Sequence, residues 1–254
     1  MKQFEIKNLQ FKWNKKSDYL FNDISLSIEK NKITTIVGKN GSGKSTLIKL
    51  ISRLIKPGKG DILFEGKDIR HINRKDWAKN ISYVSQNHDE NIPLQVIDIV
   101  KLGNYPHQDI FHNSRDFTDR ARNAIKLTGI EHIKHKDFQN LSGGEKQKVM
   151  IARAICQSKN VMLLDEPTSQ LDIKNEIEIM KLLKRFVIEE GMTCIIISHN
   201  FNLVSMYSDD VILLDKNKII HGKKEAVFVP DILQNIFDTP IGKIELKDRN
   251  VFYY

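Results

Sequence analysis

The 254-residue sequence contains only two cysteines and six prolines, and it has no long apolar run. Cys156 and Cys194 are too few for a disulfide framework and lack metal-ligand spacing, so we interpret them as small buried hydrophobic residues in a reducing compartment. The scarcity of proline excludes collagen-like and low-complexity chains. The longest apolar runs, 194–197 and 211–214, are far shorter than the roughly 20 residues of a membrane-spanning helix. We therefore expect that the chain does not itself cross a membrane.

The N-terminus also lacks the apolar stretch of a signal peptide, because charged and apolar residues alternate over 1–11. A cytoplasmic location follows as an expectation. Hydrophobic residues make up 40% of the sequence and charged residues 28%, which excludes a disordered chain and is typical of one or two globular domains. The formal net charge is +8, but no long basic run occurs. We interpret this charge as a solvated lysine-rich surface and expect no nucleic-acid partner.

Short apolar or β-branched runs predict strands at 3–9, 21–28, 33–37, 61–64, 81–85, 161–164, 194–198 and 211–215. A helix predicted over 44–55 would end at Lys56-Pro57-Gly58. Residues 87–158 have helical periodicity, with helices predicted over 96–102, 116–128 and 145–156, and a further helix is predicted over 174–190. Strands that alternate with long helices predict an α/β fold with a parallel sheet covered on both faces and a helical insert.

A glycine-rich motif, G-x-x-x-x-G-K-[ST], occupies residues 38–46 between a predicted strand and a predicted helix. Its glycines let the backbone fold around phosphate groups, and the helix N-terminus adds a positive dipole end. Lys44 can reach the β- and γ-phosphates, and the Ser45 hydroxyl can hold Mg²⁺. The alternative is a chance glycine loop, which the flanking strand and helix disfavour. The motif predicts a nucleoside triphosphate site formed by Gly38, Asn40, Gly41, Gly43, Lys44, Ser45 and Thr46.

Two adjacent carboxylates, Asp165 and Glu166, follow the apolar run 161–164. Ligands in open α/β sheets lie at the C-terminal ends of strands, where this pair is placed. Asp165 would hold Mg²⁺, and Glu166 would polarise an attacking water as general base. Alone, such a pair is more often a solvated strand end. Beside the glycine-rich motif, the functional interpretation is favoured.

A third motif, Leu141-Ser142-Gly143-Gly144-Glu145, stands shortly before the acidic strand. By itself it could be a turn with a helix N-cap at Ser142. The glycine-rich loop, LSGGE and LLDEPTS, in this order, closely resemble the ABC-transporter ATPase family over almost the whole chain.

The resemblance implies one ABC ATPase domain over 1–254. Its P-loop NTPase core, with a mainly parallel sheet and an N-terminal antiparallel β subdomain, would comprise 1–86 and 159–221. A helical subdomain with the signature motif would occupy 87–158. A short C-terminal extension, 222–254, is expected to contain a helix over 227–237 and an edge element or packing arm.

The family pattern also suggests roles for further residues. Trp13 lies where the family places an aromatic residue against adenine, with Phe11 and Tyr19 as rivals and a core aromatic as the alternative. Gln86 matches the glutamine that reports on Mg²⁺ and faces the membrane partner. His199 matches the histidine that contacts the γ-phosphate, although a lone histidine there is more often a structural cap.

Asp172 matches the D-loop aspartate, in Ser169-Gln170-Leu171-Asp172, where Gln170 replaces a commoner small residue. The resemblance thus implies catalytic roles for Lys44, Gln86, Glu166 and His199, Mg²⁺ ligation by Ser45, Gln86 and Asp165, and nucleotide contacts by Trp13, the glycine-rich loop, Ser142, Gly143, Gly144 and Asp172.

In this family two ATPase subunits meet head to tail and enclose ATP between the glycine-rich loop of one and LSGGE of the other. Ser142 and the amides of Gly143 and Gly144 would form an anion site used in trans. Since the sequence has one copy of each motif, the resemblance implies a homodimer or a pair with a similar subunit. ATP and Mg²⁺ are the implied cofactors.

Residues 97–107, with Leu-Gly-Asn-Tyr-Pro-His at their end, resemble the ATPases of iron-siderophore, haem and vitamin B12 importers. Here Asn104 replaces the usual arginine, Asn200 replaces a usual aspartate, and Lys148 replaces a common arginine. The implied function is to power such an importer from the cytoplasmic face of the membrane, with polytopic permease subunits and, indirectly, a solute-binding protein. The alternatives are the ATPase of an exporter and a soluble ABC protein acting on nucleic acid or the ribosome.

Overall fold

The computed structural model describes residues 1–14, 16–86, 91–108, 114–215, 218–246 and 249–254. The chain forms two compact units: unit 1 is Met1–Ile72 with Thr193–Tyr254, and unit 2 is Asn73–Met192. The predicted domain boundary at residue 87 lies outside the described residues. The proposed division into core, helical subdomain and extension therefore stays a prediction.

The strands, in chain order, are β1 (Lys2–Phe11), β2 (Phe21–Glu29), β3 (Ile33–Gly38), β4 (Lys59–Phe64), β5 (Lys67–Asp68), β6 (Ile81–Val84), β7 (Val161–Asp165), β8 (Thr193–Ile197), β9 (Asp210–Asp215), β10 (Lys218–Lys223), β11 (Gly242–Leu246) and β12 (Arg249–Tyr253). The α-helices are α1 (Lys44–Ile51), α2 (Arg74–Asn80), α3 (Val96–Leu102), α4 (Ser114–Thr128), α5 (Gly143–Gln157), α6 (Ile173–Glu189), α7 (Phe201–Tyr207), α8 (Lys224–Val227) and α9 (Pro230–Phe237).

Unit 1 contains an antiparallel sheet in the order β2-β1-β4-β5 and a second group of strands in the order β10-β9-β3-β8. In the second group β3 pairs in parallel with both β8 and β9, whereas β10 is antiparallel to β9. Every residue of β3 is buried, as expected for a central parallel strand that reads as a continuous apolar run. This strand carries the chain to the glycine-rich loop, which begins at its last residue, Gly38.

Unit 2 contains the parallel pair β6–β7, in which Tyr83 lies opposite Leu163 and Val84 opposite Leu164. Helices α3, α4 and α5 pack against one another. Because parallel strands end at the same edge, the pairing brings the residues after β6 close to the acidic end of β7. The strand groups of the two units confirm the predicted α/β class with mainly parallel strands and an antiparallel N-terminal sheet.

The first helix is shorter than the sequence predicts. The expected span was 44–55, but α1 ends at Ile51. Arg53 adopts a left-handed backbone conformation with φ of 62°, and the amides of Leu54 and Ile55 return to the carbonyl of Lys49. The chain therefore turns back before the Pro-Gly break that the sequence offers as the stop signal.

The segment 222–254 also differs from expectation, because the helix predicted over 227–237 begins only at Pro230, and a separate one-turn helix, α8, ends at Val227. Pro230 has no amide hydrogen and begins α9, a position that suits proline at the start of a helix but not within one. The rest of the segment forms the hairpin β11–β12. Phe228, Leu233 and Phe252 are buried in one apolar cluster with Val37 and Phe201, so this segment packs as an integral part of unit 1.

Both cysteines are buried and unpaired, which confirms their interpretation as small hydrophobic residues. Burial raises the pKa of the Cys156 thiol to about 11 and that of the Cys194 thiol to about 12. Over the ranges that the structure describes, no helix is both long and apolar enough to cross a membrane.

Candidate functional site

The glycine-rich loop joins β3 to α1, as the motif predicts. Gly43 is the N-cap of α1 and has φ of 103°, a conformation that side-chain-bearing residues rarely adopt. A Cβ atom at this position would lie 2.8 Å from the ring of Phe21. Both the backbone conformation and the close packing therefore require glycine where the loop turns into the helix.

Lys44, the first residue of α1, is buried. Its ammonium donates hydrogen bonds to the backbone carbonyls of Gly38 and Lys39, each at 2.9 Å. Among the described residues no side chain caps α1, and its first turn contains no acidic residue, so the helix N-terminus retains its preference for an anion. The cation and the helix end are thus held at one loop, as phosphate binding requires.

The side chain of Ser42 supports the same conclusion. Its hydroxyl oxygen is buried and has no hydrogen-bond partner among the described residues. A buried hydroxyl without a partner is costly, and a phosphate oxygen bound in the loop would supply a partner. The loop therefore fits a bound phosphate chain on observations independent of its sequence motif.

The three aromatic candidates for adenine binding line one cavity of about 350 Å³ in unit 1, together with Lys12 and Gly58. Phe11 is buried and meets Trp13 edge to face, with ring centroids 5.2 Å apart. Trp13 is 58% exposed, and Tyr19 is 40% exposed with the Lys12 ammonium 4.0 Å from its ring centroid. Burial disfavours Phe11 and leaves Trp13 with the larger accessible ring.

In unit 2, Asp165 is buried at the end of β7. The hydroxyl of Tyr83 donates to Asp165 Oδ2 at 3.3 Å. Burial, together with the neighbouring carboxylate charge, raises the pKa of Tyr83 and keeps this phenol a donor. Sequence reasoning missed Tyr83 as a partner of Asp165. The sequence carries no signal for this contact, because the contact depends on the parallel alignment of β6 with β7.

Glu166 follows Asp165 and has a left-handed backbone conformation, with φ of 51°. A glutamate is rarely found in this conformation, and such strain occurs preferentially at functional sites. The Gln86 amide nitrogen donates to Glu166 Oε2 at 2.8 Å. The structure therefore brings together the predicted base and the predicted Mg²⁺-sensing glutamine.

Ser142 is the N-cap of α5 within a capping box. Its backbone amide and hydroxyl donate to Glu145 Oε2 at 2.9 and 2.8 Å, and the Glu145 amide returns a bond to the hydroxyl at 3.4 Å. The bond from the Ser142 amide is the main cause of the lowered pKa of Glu145. The capping interpretation of LSGGE therefore describes its local structure, and the role of Ser142 toward nucleotide stays a prediction.

A second contact that the sequence did not indicate joins α5, the helix that begins within the LSGGE motif, to α6. Asp172 caps α6 by accepting the Asn175 amide at 2.8 Å, and it also accepts the Asn175 side chain at 2.9 Å. The Asn175 side chain lies next to Gly144. A Cβ atom added to Gly144 would be only 2.4 Å from Asn175 Oδ1. Gly144 therefore allows the close approach of Asn175, whose side chain is held by Asp172.

His199 follows β8 and is exposed. The cap of α7 is the neighbouring Asn200, whose side-chain oxygen accepts the amides of Asn202 and Leu203 at 3.1 and 3.2 Å. The helix cap that was the alternative role for His199 thus belongs to Asn200.

The other two departures from the family pattern have partners elsewhere in unit 2. Asn104 is buried and hydrogen-bonds Cys156, and Lys148 donates to Glu178 at 2.7 Å.

The described residues contain no cluster of three or more histidine, cysteine, aspartate or glutamate side chains that could hold a metal ion. Mg²⁺ commonly binds through one or two carboxylates together with substrate phosphates. A single buried carboxylate, Asp165, beside the hydroxyl of Tyr83 fits that mode and does not fit an all-protein metal cage.

Comparison with known proteins agrees with this arrangement. The sequence model of the family described as "ABC transporter" matches residues 21–169. The chain is 35% identical to the petrobactin import ATP-binding protein YclP of Bacillus subtilis (strain 168), over 98% of this chain and 99% of that protein. It is 37% identical to the iron(3+)-hydroxamate import ATP-binding protein FhuC of the same strain, over 85% of this chain and 81% of that protein.

Among solved structures, an inward-facing ABC transporter assigned to the metal-chelate type contains a similar chain. The TM-score is 0.85 and the identity is 27%, over 100% of this chain and 98% of that one. The family model matches more than half of the sequence, and the relative YclP aligns almost from end to end. The chain with this glycine-rich loop, capping box and acidic strand therefore belongs to the ABC transporter family, as an ATP-binding ATPase subunit.

Proposed function

We propose that this chain hydrolyses ATP to power the import of a ferric siderophore or a related metal chelate through separate membrane permease subunits. The observation that carries the proposal is the match to YclP, an import ATP-binding protein, over nearly the full length of both chains. FhuC, whose name gives a different chelate, has a similar sequence identity to this chain. The class of solute is therefore better supported than any one solute.

In the proposed site, ATP phosphates bind to the loop of Gly38, Asn40, Gly41, Gly43, Lys44, Ser45 and Thr46. The loop supplies backbone amides, a helix N-terminus and the Lys44 ammonium, which the structure holds in place through two backbone carbonyls. Adenine stacks on Trp13, whose exposed indole lines the aromatic cavity.

Hydrolysis is assigned to residues with distinct chemical roles. Ser45, Asp165 and Gln86 would hold Mg²⁺, which when bound neutralises charge on the phosphoryl oxygens. Glu166 accepts the proton of the attacking water, and His199 donates a hydrogen bond to the γ-phosphate. Water oxygen then bonds to phosphorus as the bond to the ADP oxygen breaks, so the products are ADP and phosphate.

The second copy completes the proposed site. The amides of Gly143 and Gly144 lie in the first turn of α5, where the helix dipole favours an anion. The Ser142 amide and hydroxyl, which now donate to Glu145, would exchange that carboxylate for phosphate. We assign this surface to the ATP held by the loop of a partner subunit, with a homodimer as the simplest pair. ATP contacts across two subunits shift the population toward a closed dimer, and hydrolysis reverses the shift.

The permease is proposed to dock on unit 2 at the cytoplasmic face of the membrane. A groove of about 410 Å³ is lined by Arg74, Lys75, Ala78, Tyr105, Pro106 and Gln108. Tyr105 is 77% exposed, and the Lys75 ammonium donates to the Gln108 carbonyl at 2.8 Å. An aromatic anchor and cations on a groove suit a short protein segment. A solute-binding protein would act on the other side of the membrane.

The proposal is tested by deleting the gene in its native cells and measuring uptake of radiolabelled ferric siderophores. We expect uptake of at least one chelate to be lost, restored by the wild-type gene and not restored by Glu166→Gln. A mild-detergent pull-down of the tagged chain should recover a polytopic membrane protein. Unchanged uptake of every chelate, with recovery of ribosomal or DNA-bound partners instead, would overturn the proposed function.

A further inference from the structure

The C-terminal segment 222–254 reaches the phosphate loop through one ion pair within unit 1. Asp238 Oδ2 lies 2.5 Å from the ammonium of Lys39, the second residue of the loop. The backbone carbonyl of Lys39 in turn accepts a hydrogen bond from the Lys44 ammonium at 2.9 Å. A carboxylate from outside the loop is therefore engaged with a loop cation beside the lysine that we assign to phosphate binding.

Asp238 occupies a backbone position that does not favour it. It is the C-cap of α9 and is left-handed, with φ of 52° and ψ of 37°. Glycine is the usual residue there, because a side chain in this conformation costs about 1 kcal/mol, although aspartate is among the better tolerated. Local structure alone would be served better by glycine, which indicates that the carboxylate has another role.

The packing of α9 holds this carboxylate near the loop. Leu233 and Ile236 of α9 are buried in the same apolar cluster as Val37, the residue before Gly38. The Asp238 amide donates to the Gln234 carbonyl at 2.9 Å, which fixes the helix end. The approach of Asp238 to Lys39 is therefore a consequence of core packing.

The pair is too exposed to stabilise the fold appreciably, since the Lys39 and Asp238 side chains are 36% and 79% exposed. Its effect falls on the charge of the loop. The hydrogen bond that the Lys39 ammonium donates to Asp238 is the largest cause of the raised pKa of Lys39, and Asp215 adds a smaller attraction. A polyphosphate that approaches the loop must compete with the carboxylate for the ammonium, and it is also repelled by that carboxylate.

We propose that Asp238 restrains nucleotide binding by engaging Lys39, so that the C-terminal segment limits the affinity of the phosphate loop for ATP. The inference rests on the proposed nucleotide site. In this role Asp238, within the segment 222–254, positions the ammonium of Lys39. Because Asp238 acts on binding and is not assigned to the reacting atoms, its removal should change KM for ATP and leave kcat unchanged.

The test is isothermal calorimetry of ATP binding in EDTA, so that no hydrolysis occurs. Asp238→Asn keeps the size of the side chain and tolerates the left-handed backbone, and Asp238→Gly removes the backbone cost, so both variants should fold. We expect each to bind ATP about fivefold more tightly at low ionic strength, with a smaller gain at high salt. Asp231→Asn, the same charge change at the other end of α9, should leave the affinity unchanged.

A Lys39→Gln background tests whether Asp238 acts through Lys39. In that background Asp238→Asn should increase the affinity for ATP much less than it does in the wild type. Equal or weaker ATP binding by both Asp238 variants would overturn the inference, as would an undiminished gain in the Lys39→Gln background. In either case, ATP binding by the wild type would leave the proposed function standing. A wild-type protein that binds no ATP would overturn the proposed function and this inference together.

Discussion

The amide nitrogen of Gln86 donates a hydrogen bond to Glu166 Oε2 over 2.8 Å. Gln86 follows β6 and Glu166 follows β7, so the contact results from the parallel pairing of two neighbouring strands. It fixes one carboxylate oxygen of the proposed base. A displacement of Gln86 would therefore also displace the carboxylate of the proposed base.

Replacing Glu166 by glutamine should keep ATP binding and reduce turnover by about 10²-fold or more, because the amide cannot accept the proton of the attacking water. Phosphate release under saturating ATP measures turnover, and gel filtration with ATP should reveal a trapped dimer. Glu189→Gln is the matched control, since Glu189 is 61% exposed at the end of α6. Undiminished phosphate release by Glu166→Gln would refute the assignment of the base.

Lys44→Ala should weaken ATP binding by at least about tenfold, because a charge-assisted hydrogen bond contributes about 1.5–3 kcal/mol. The buried ammonium is already held by two loop carbonyls, so little ordering is required when phosphate binds. Lys49→Ala, in the last turn of the same helix, serves as the control. An ATP dissociation constant unchanged by Lys44→Ala in calorimetry would contradict the phosphate role.

Trp13→Ala should raise the ATP dissociation constant about fivefold or more, since stacking of a base on an aromatic ring contributes about 1–3 kcal/mol. Trp13→Phe should recover most of the loss because it retains a ring. Tyr19 lines the same cavity, so Tyr19→Ala is the informative comparison. If only Tyr19→Ala weakens binding, the stacking role belongs to Tyr19.

The local structure of the glycine-rich loop and of the acidic strand was predictable, because both motifs have particular residue types at fixed spacing within a short segment. Lys44 at the start of a helix and Asp165 at the end of a strand follow from local pattern alone. The N-cap at Ser142 was likewise a local alternative that the structure shows directly.

Contacts between distant segments could not be predicted in this way. Tyr83 reaches Asp165 across 82 positions, and Asp238 reaches Lys39 across 199. No periodicity or motif in either segment encodes these pairings, since they depend on strand register and on how apolar faces pack. The predicted end of α1, at residue 55, was wrong for a related reason. The side chain of Arg53 is held by the carbonyl of Ile72, 19 positions away, and this contact accompanies the early turn.

The two thiols should be protected in the native protein. Burial raises the pKa of Cys194 to about 12, so the thiol stays neutral and unreactive toward a disulfide reagent at pH 8, whereas both cysteines should react after unfolding. The pKa of the Cys194 thiol is higher in the folded state than in the unfolded state. Burial of the neutral thiol therefore stabilises the fold fully below about pH 9, and this stabilisation is lost as the pH rises toward 12.

Urea unfolding at a series of pH values measures this loss against Cys194→Ala. The advantage of the wild type should shrink by about 1 kcal/mol by pH 10. Rapid labelling of the native protein would refute the burial of the thiols.

Gly144→Ala should destabilise the chain by about 1–3 kcal/mol, because the added methyl group would meet Asn175, whose side chain Asp172 holds in place. Asn175→Ala removes the obstacle at the cost of that hydrogen bond. The double variant Gly144→Ala/Asn175→Ala should therefore be less destabilised than the sum of the single variants, which thermal unfolding in a double-mutant cycle measures directly. Strict additivity would show that the glycine is required for a reason other than the close approach of Asn175. Coupling would show that the requirement for glycine at position 144 arises from the side chain of Asn175, which Asp172 holds by a hydrogen bond.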